Sequence, residues 1–63
     1  MIDLNNASFI GEGPWVKDSA YQVYELDGKY YSVIVNGYDK EINEYSIMEI
    51  KKEDISKYIY LNK

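Results

Sequence analysis

Residues 21–35 read YQVYELDGKYYSVIV, and the Asp27-Gly28 pair at their centre decides the fold. Asp-Gly accepts the positive φ angles of a type I′ turn, whose twist matches that of two antiparallel strands. The spacing predicts strands over Ser19–Leu26 and Lys29–Asn36. A two-residue loop also fixes the register. Leu26 faces Lys29, Tyr24 faces Tyr31, Gln22 faces Val33 and Ala20 faces Val35. On the opposite face Glu25 meets Tyr30, Val23 meets Ser32 and Tyr21 meets Ile34.

Neither face of this hairpin is purely polar. A half-buried hairpin alternates cleanly between apolar and polar residues. Here one face serves the core, while the other shows Tyr21, Val23, Tyr30 and Ile34. The second face requires either a covering layer or a partner.

Working outward, residues 7–10 read as a first strand. Gly11-Glu12-Gly13-Pro14 reads as a loop, because glycine and proline interrupt a ladder. Trp15 and Val16 are expected to fold back over the core. Asn36-Gly37 signals a second turn, and residues 37–43 are expected to form a loop in preference to a short hairpin return. Residues 44–50 alternate, which predicts a third strand beside Lys29–Asn36 in preference to a helix. Ile55, Tyr58 and Ile59 share one helical face, so a single helical turn is expected there, leading into a short terminal strand over 58–61. The expected fold is mostly β: a small antiparallel meander, or an SH3-like partial barrel, of three to five strands. At most one short C-terminal helical turn accompanies it.

The 63 residues make one domain, 1–63, near the lower size limit for independent folding. There is no cysteine and no histidine, so disulfides, thiolate metal sites and the commonest general base are all missing. Serine nucleophiles have no histidine to activate them. The acidic loop around Asp39, Glu41 and Glu44 lacks the ligand order of a calcium loop. Gly11-Glu12-Gly13 lacks the third glycine, helix and lysine of a phosphate cradle. The expectation is a protein that is not an enzyme, with no cofactor and no metal.

The net charge is −4, and every basic residue is lysine. Arginine is the preferred reader of phosphate and guanine, so direct nucleic-acid binding is not expected. No apolar run reaches the roughly 18 residues of a membrane helix, and the first residues do not resemble a secretory signal. The expected location is the cytoplasm. Heavy use of lysine, isoleucine, asparagine and tyrosine points to an AT-rich genome, as in a low-GC bacterium, its phages or its mobile elements.

Eight tyrosines are more than one thin core can absorb. Ile10, Val16, Val33, Val35, Ile47, Ile50, Ile55 and Ile59 already claim much of that core. Tyrosine and tryptophan favour contact surfaces, because each offers a rigid face and a polar tip. The candidate protein-binding residues are Tyr21, Tyr24, Tyr30, Tyr31, Tyr38 and Trp15, with Asp39, Glu41 and Glu44 as a carboxylate rim. Such a rim suits a partner with a basic surface. The functional expectation is a protein-binding module, in its sharper form a phage or mobile-element inhibitor or adaptor. It would block a bacterial host protein concerned with defence or nucleic-acid handling. The alternatives are a homodimer built on a β-edge and a small-ligand-binding β-domain.

Overall fold

The computed structural model describes residues 3–60. Four strands form one antiparallel sheet in the order β1-β2-β3-β4, each paired with its sequence neighbour. They are β1 (Ser8–Glu12), β2 (Ser19–Leu26), β3 (Lys29–Asn36) and β4 (Glu41–Ile50). A 3-10 turn at Leu4–Asn6 precedes the sheet, and a 3-10 helix at Lys52–Lys57 follows it. The meander stays open, so the SH3-like closure is not formed. Its shortest dimension is 16 Å, which leaves room for the sheet and a partial cover only.

The central hairpin has the register that the Asp-Gly turn dictates. All eight pairs run in step from Ser19↔Asn36 to Leu26↔Lys29. Asp27 and Gly28 take φ values of 54° and 82°, as a type I′ turn requires.

The two faces of this hairpin hold separate small cores. On one face Ala20, Val33 and Val35 are buried, with Leu4, Tyr24, Ile42 and Ile47 packed against them. On the other, Val23 is buried against Ile55 and Ile59, with Tyr30, Ile50 and Tyr58 alongside. The C-terminal 3-10 helix is therefore the covering layer for part of the second face.

Two expectations about that core are corrected. Ile10 and Val16 are exposed rather than buried. Ile10 is the extra residue of a bulge, since Phe9 faces Tyr24 and Gly11 faces the adjacent Val23. Val16 sits in a tight turn, exchanging backbone hydrogen bonds with Ser19 at 2.9 and 3.2 Å. The turn carries Trp15 and Val16 away from the core.

Gly11 and Glu12 are the end of β1, not part of a loop. The glycines are there for clearance. A Cβ on Gly13 would lie 2.2 Å from the Tyr58 carbonyl oxygen, and one on Gly11 would lie 2.8 Å from the Ile59 Cδ1. The C-terminal segment crosses directly over this strip of backbone. Residues 58–60 form no strand there, and Leu61 of the expected terminal strand lies outside the described residues.

β4 begins at Glu41, earlier than the alternation suggested, and carries a large bulge. Ile34 faces Asn43 while Ser32 faces Met48, so residues 44–47 stand opposite Val33 alone. Three extra residues are an odd number, which reverses the alternation and puts Ile42 and Ile47 on the same core face. Local side chains hold the bulge. Asn43 Oδ1 accepts from the Tyr45 N–H at 3.0 Å. Ser46 Oγ donates to the Asn43 carbonyl and accepts the Ile34 N–H at 2.8 Å, replacing a ladder carbonyl. Ser46→Ala removes that acceptor, with an expected cost of about 1–2 kcal/mol. Hydrogen exchange checks it: the Ile34 amide should lose protection before its hairpin neighbours do.

Candidate functional site: the Trp15–Tyr38 end

One end of the sheet gathers the end of β1, the 13–18 connection and the 37–40 turn between β3 and β4. The Gly37 N–H donates to the Asp18 carbonyl at 2.7 Å, which ties the two loops together. Trp15, Lys17, Asp18, Gly37, Tyr38 and Lys40 line a depression of about 300 Å³ between them. Tyr38 is fully exposed, and Trp15 keeps 38% of its surface exposed. On the far side of the 13–18 connection, Pro14, Val16, Tyr21 and Ile34 line a second groove of about 310 Å³.

The sequence-predicted tyrosines do not form one surface. Tyr38 and Trp15 share the depression, and Tyr21 lies at the separate second groove. Tyr24 and Tyr31 oppose each other on one sheet face, and Tyr30 lies on the other. All three are half-buried, and Tyr24 and Tyr30 pack against the two cores. The alternation of a strand separates Tyr30 from Tyr31 whatever their neighbours are. Tyr45, at the tip of the β4 bulge, is almost fully exposed and was not anticipated as a surface residue.

Asp39 and Glu41 lie at the Trp15–Tyr38 end, and Glu44 follows in the bulge beside Glu41 and Tyr45. Segments 12–18 and 36–45 together carry five carboxylates and two lysines. That leaves three of the chain's four net negative charges at this end.

Glu12, which the sequence offered only as the middle of a loop, organises the site. Because β1 continues through it, its side chain projects beside Gln22 on the core-facing side. Its Oε2 accepts the Trp15 indole N–H at 2.9 Å, and Oε1 accepts the Gln22 amide at 2.8 Å. Lys40 Nζ lies 3.4 Å from Oε1. The Tyr24 hydroxyl donates to Gln22 Oε1 at 2.8 Å, which completes the chain of polar contacts. Gln22 is buried, and this network satisfies its amide. An acid placed between two glycines at the end of an apolar strand was the available signal.

Hydrogen bonds from Gln22 and Trp15, with a smaller effect of Lys40, hold the Glu12 carboxyl below its ordinary value against the opposing effect of burial. The folded state therefore binds fewer protons than the unfolded chain near the ordinary glutamate value of about 4.3. This contribution to stability is present above that value and is lost as pH falls through the lower folded value. Thermal melts between neutral and acid pH should show a Glu12-dependent loss of stability that Glu12→Gln removes. Tyr24 shifts the other way: burial first, and the Glu12 charge second, push its phenol up. Its contribution is present below about pH 10 and is lost as pH rises through the folded value.

Comparison with family models, with curated proteins and with solved structures finds no match to this chain. Among the described residues no three potential metal-ligating side chains come together, and no helix is long and apolar enough to cross a membrane.

Proposed function

We propose that this chain is a protein-binding module that engages a basic partner through the Trp15–Tyr38 end. The observation that carries the reading is the pairing of two exposed aromatic residues, from separate loops, across one depression in the most acidic part of the molecule. Aromatic side chains supply contact area at low entropic cost, and the surrounding carboxylates steer encounter with a positive surface. The loops are tied to each other and to the sheet through Glu12, so little ordering is needed on binding. The sharper form is an inhibitor or adaptor from a phage or mobile element that occupies the basic surface of a bacterial host protein in the cytoplasm. Its motivation is the small acidic chain, an amino-acid usage rich in residues with AT-rich codons, and the lack of histidine and cysteine.

The test is capture from bacterial lysate with the wild-type protein and with Trp15→Ala/Tyr38→Ala as paired baits. A stoichiometric partner retained by the first and lost by the second supports the reading. A partner held equally by both baits rejects this surface.

A second reading, a homodimer through a sheet edge, is favoured by the open meander, whose β1 and β4 each pair on one side only. Both edges carry bulges, which weaken edge pairing. Sedimentation at micromolar concentration separates the readings, since a strict monomer excludes the dimer.

A further inference from the structure

Asn36-Gly37 closes β3 and ties the two loops together, but the pair also carries a reactivity of its own. Asn36 is the only asparagine of the chain that is followed by glycine. A side-chain amide can be attacked by the backbone nitrogen of the next residue, and the Cβ of that residue is the usual obstacle. Glycine has none. The surroundings of Gly37 are open as well: a Cβ placed there would meet nothing within 4 Å. Asn36 is exposed, and Gly37 lines the depression beside Trp15 and Tyr38, so solvent reaches both reacting groups.

We propose that Asn36 is a modification site, where water converts the side-chain amide to a carboxylate through a cyclic imide, gated by local opening of this end. A base in solution takes the Gly37 N–H proton. The nitrogen bonds to Asn36 Cγ, ammonia leaves, and the imide ring closes. Water then cleaves one of the two imide C–N bonds. Cleavage at Cγ leaves aspartate, and cleavage at the main-chain carbonyl carbon leaves iso-aspartate. In sum a water is consumed, an ammonia is released and nothing is oxidised or reduced.

The fold sets the gate. Asn36 pairs with Ser19 on one side and with Glu41 on the other, which keeps its backbone extended. Ring closure needs the Gly37 nitrogen turned toward the Asn36 side chain, and an extended backbone turns it away. The Gly37 N–H is also committed to the Asp18 carbonyl at 2.7 Å, and Ser19 Oγ donates to Asn36 Oδ1 at 2.6 Å. The Ser19 bond polarises the amide it holds, but that has no effect while nitrogen and carbon stay apart. The end of a strand opens locally at lower cost than the whole sheet. Either product adds a negative charge to the acidic end. Iso-aspartate also routes the backbone through the former side chain, which displaces Gly37 from Asp18. Asp27-Gly28 does not compete at neutral pH, because an ionised carboxylate resists the same attack. The inference is independent of any partner.

The test holds the folded chain in warm, mildly alkaline buffer and samples it over days by intact mass and peptide mapping. The free peptide Val35-Asn36-Gly37-Tyr38 is run beside it. The expected result is a mass gain equal to the difference between a hydroxyl and an amino group, located at Asn36 and at no other asparagine. The folded chain should convert several-fold more slowly than the peptide, and Ser19→Ala should raise the folded rate several-fold. The converted chain, separated by ion exchange, should lose hydrogen-exchange protection at the Gly37 amide. Asn36 left unchanged in the chain many half-times after the peptide has converted overturns the site. Equal rates in chain and peptide, or a slower rate in Ser19→Ala, overturn the gate. The comparison of chain with peptide holds even if Ser19→Ala does not fold.

Discussion

Gly13→Ala is expected to lower the melting temperature by about 10–20 °C. The added methyl would stand 2.2 Å from the carbonyl oxygen of Tyr58. That atom is backbone, so no rotamer change relieves the clash. Either the C-terminal segment lifts or β1 moves away. Lifting the segment withdraws Ile59, and with it Ile55, from Val23 and opens one of the two cores. Overpacking of this kind costs about 1–3 kcal/mol. A core of this size supplies only about 3–5 kcal/mol, and each kcal/mol moves the midpoint by about 4–8 °C in so small a domain. Gly11→Ala is the matched control. Its new methyl meets the end of the Ile59 side chain, which can rotate, so its effect should be clearly smaller. Thermal melts of the two variants under one set of conditions check this, and equal midpoints would contradict the clearance argument.

Trp15→Ala is expected to do the reverse, removing function and sparing the fold. Trp15 belongs to neither core cluster, and its one side-chain hydrogen bond goes to Glu12 at 2.9 Å. Losing that bond costs about 1 kcal/mol. A tryptophan at the centre of an interface contributes about 2 kcal/mol or more by truncation, which is roughly 30-fold in affinity. The partner should therefore bind at least about tenfold more weakly, while the melting temperature falls by only a few degrees. Titration calorimetry with the captured partner, set beside a thermal melt, checks both halves. Trp15→Phe should recover part of the affinity, because it restores the ring without the N–H.

The central hairpin was legible because Asp27-Gly28 fixes both turn and register within a few residues. The third long strand was legible in place but not in detail, since residues 44–50 do lie in β4 while 44–47 form its bulge and do not alternate. The C-terminal helical turn was legible from the spacing of Ile55 and Ile59. What escaped depends on contacts between distant segments. Gly11 and Gly13 resemble strand breakers until Tyr58 and Ile59 lie across them. The β4 bulge hides because Ser46 supplies an acceptor that a sequence pattern expects from a carbonyl. Of the predicted aromatic residues, Trp15 and Tyr38 line one depression, since both lie in loops at one end. Tyr24 and Tyr30 belong to the packing of the two cores, because a strand sends its residues alternately to opposite faces. Glu12 was the largest omission, since its importance comes from three donors brought by three different elements.

The most direct test of the central claim places a photo-cross-linking amino acid at position 38 in one variant and at position 29 in another. Lys29 flanks the Asp27-Gly28 turn, at the opposite end of the sheet. Both variants are irradiated in bacterial cells and the products are identified by mass spectrometry. The account predicts one predominant protein adduct from position 38, rich in lysine or arginine at the cross-linked surface, and none from position 29. An adduct from position 29 alone, or the same adducts from both positions, would contradict it.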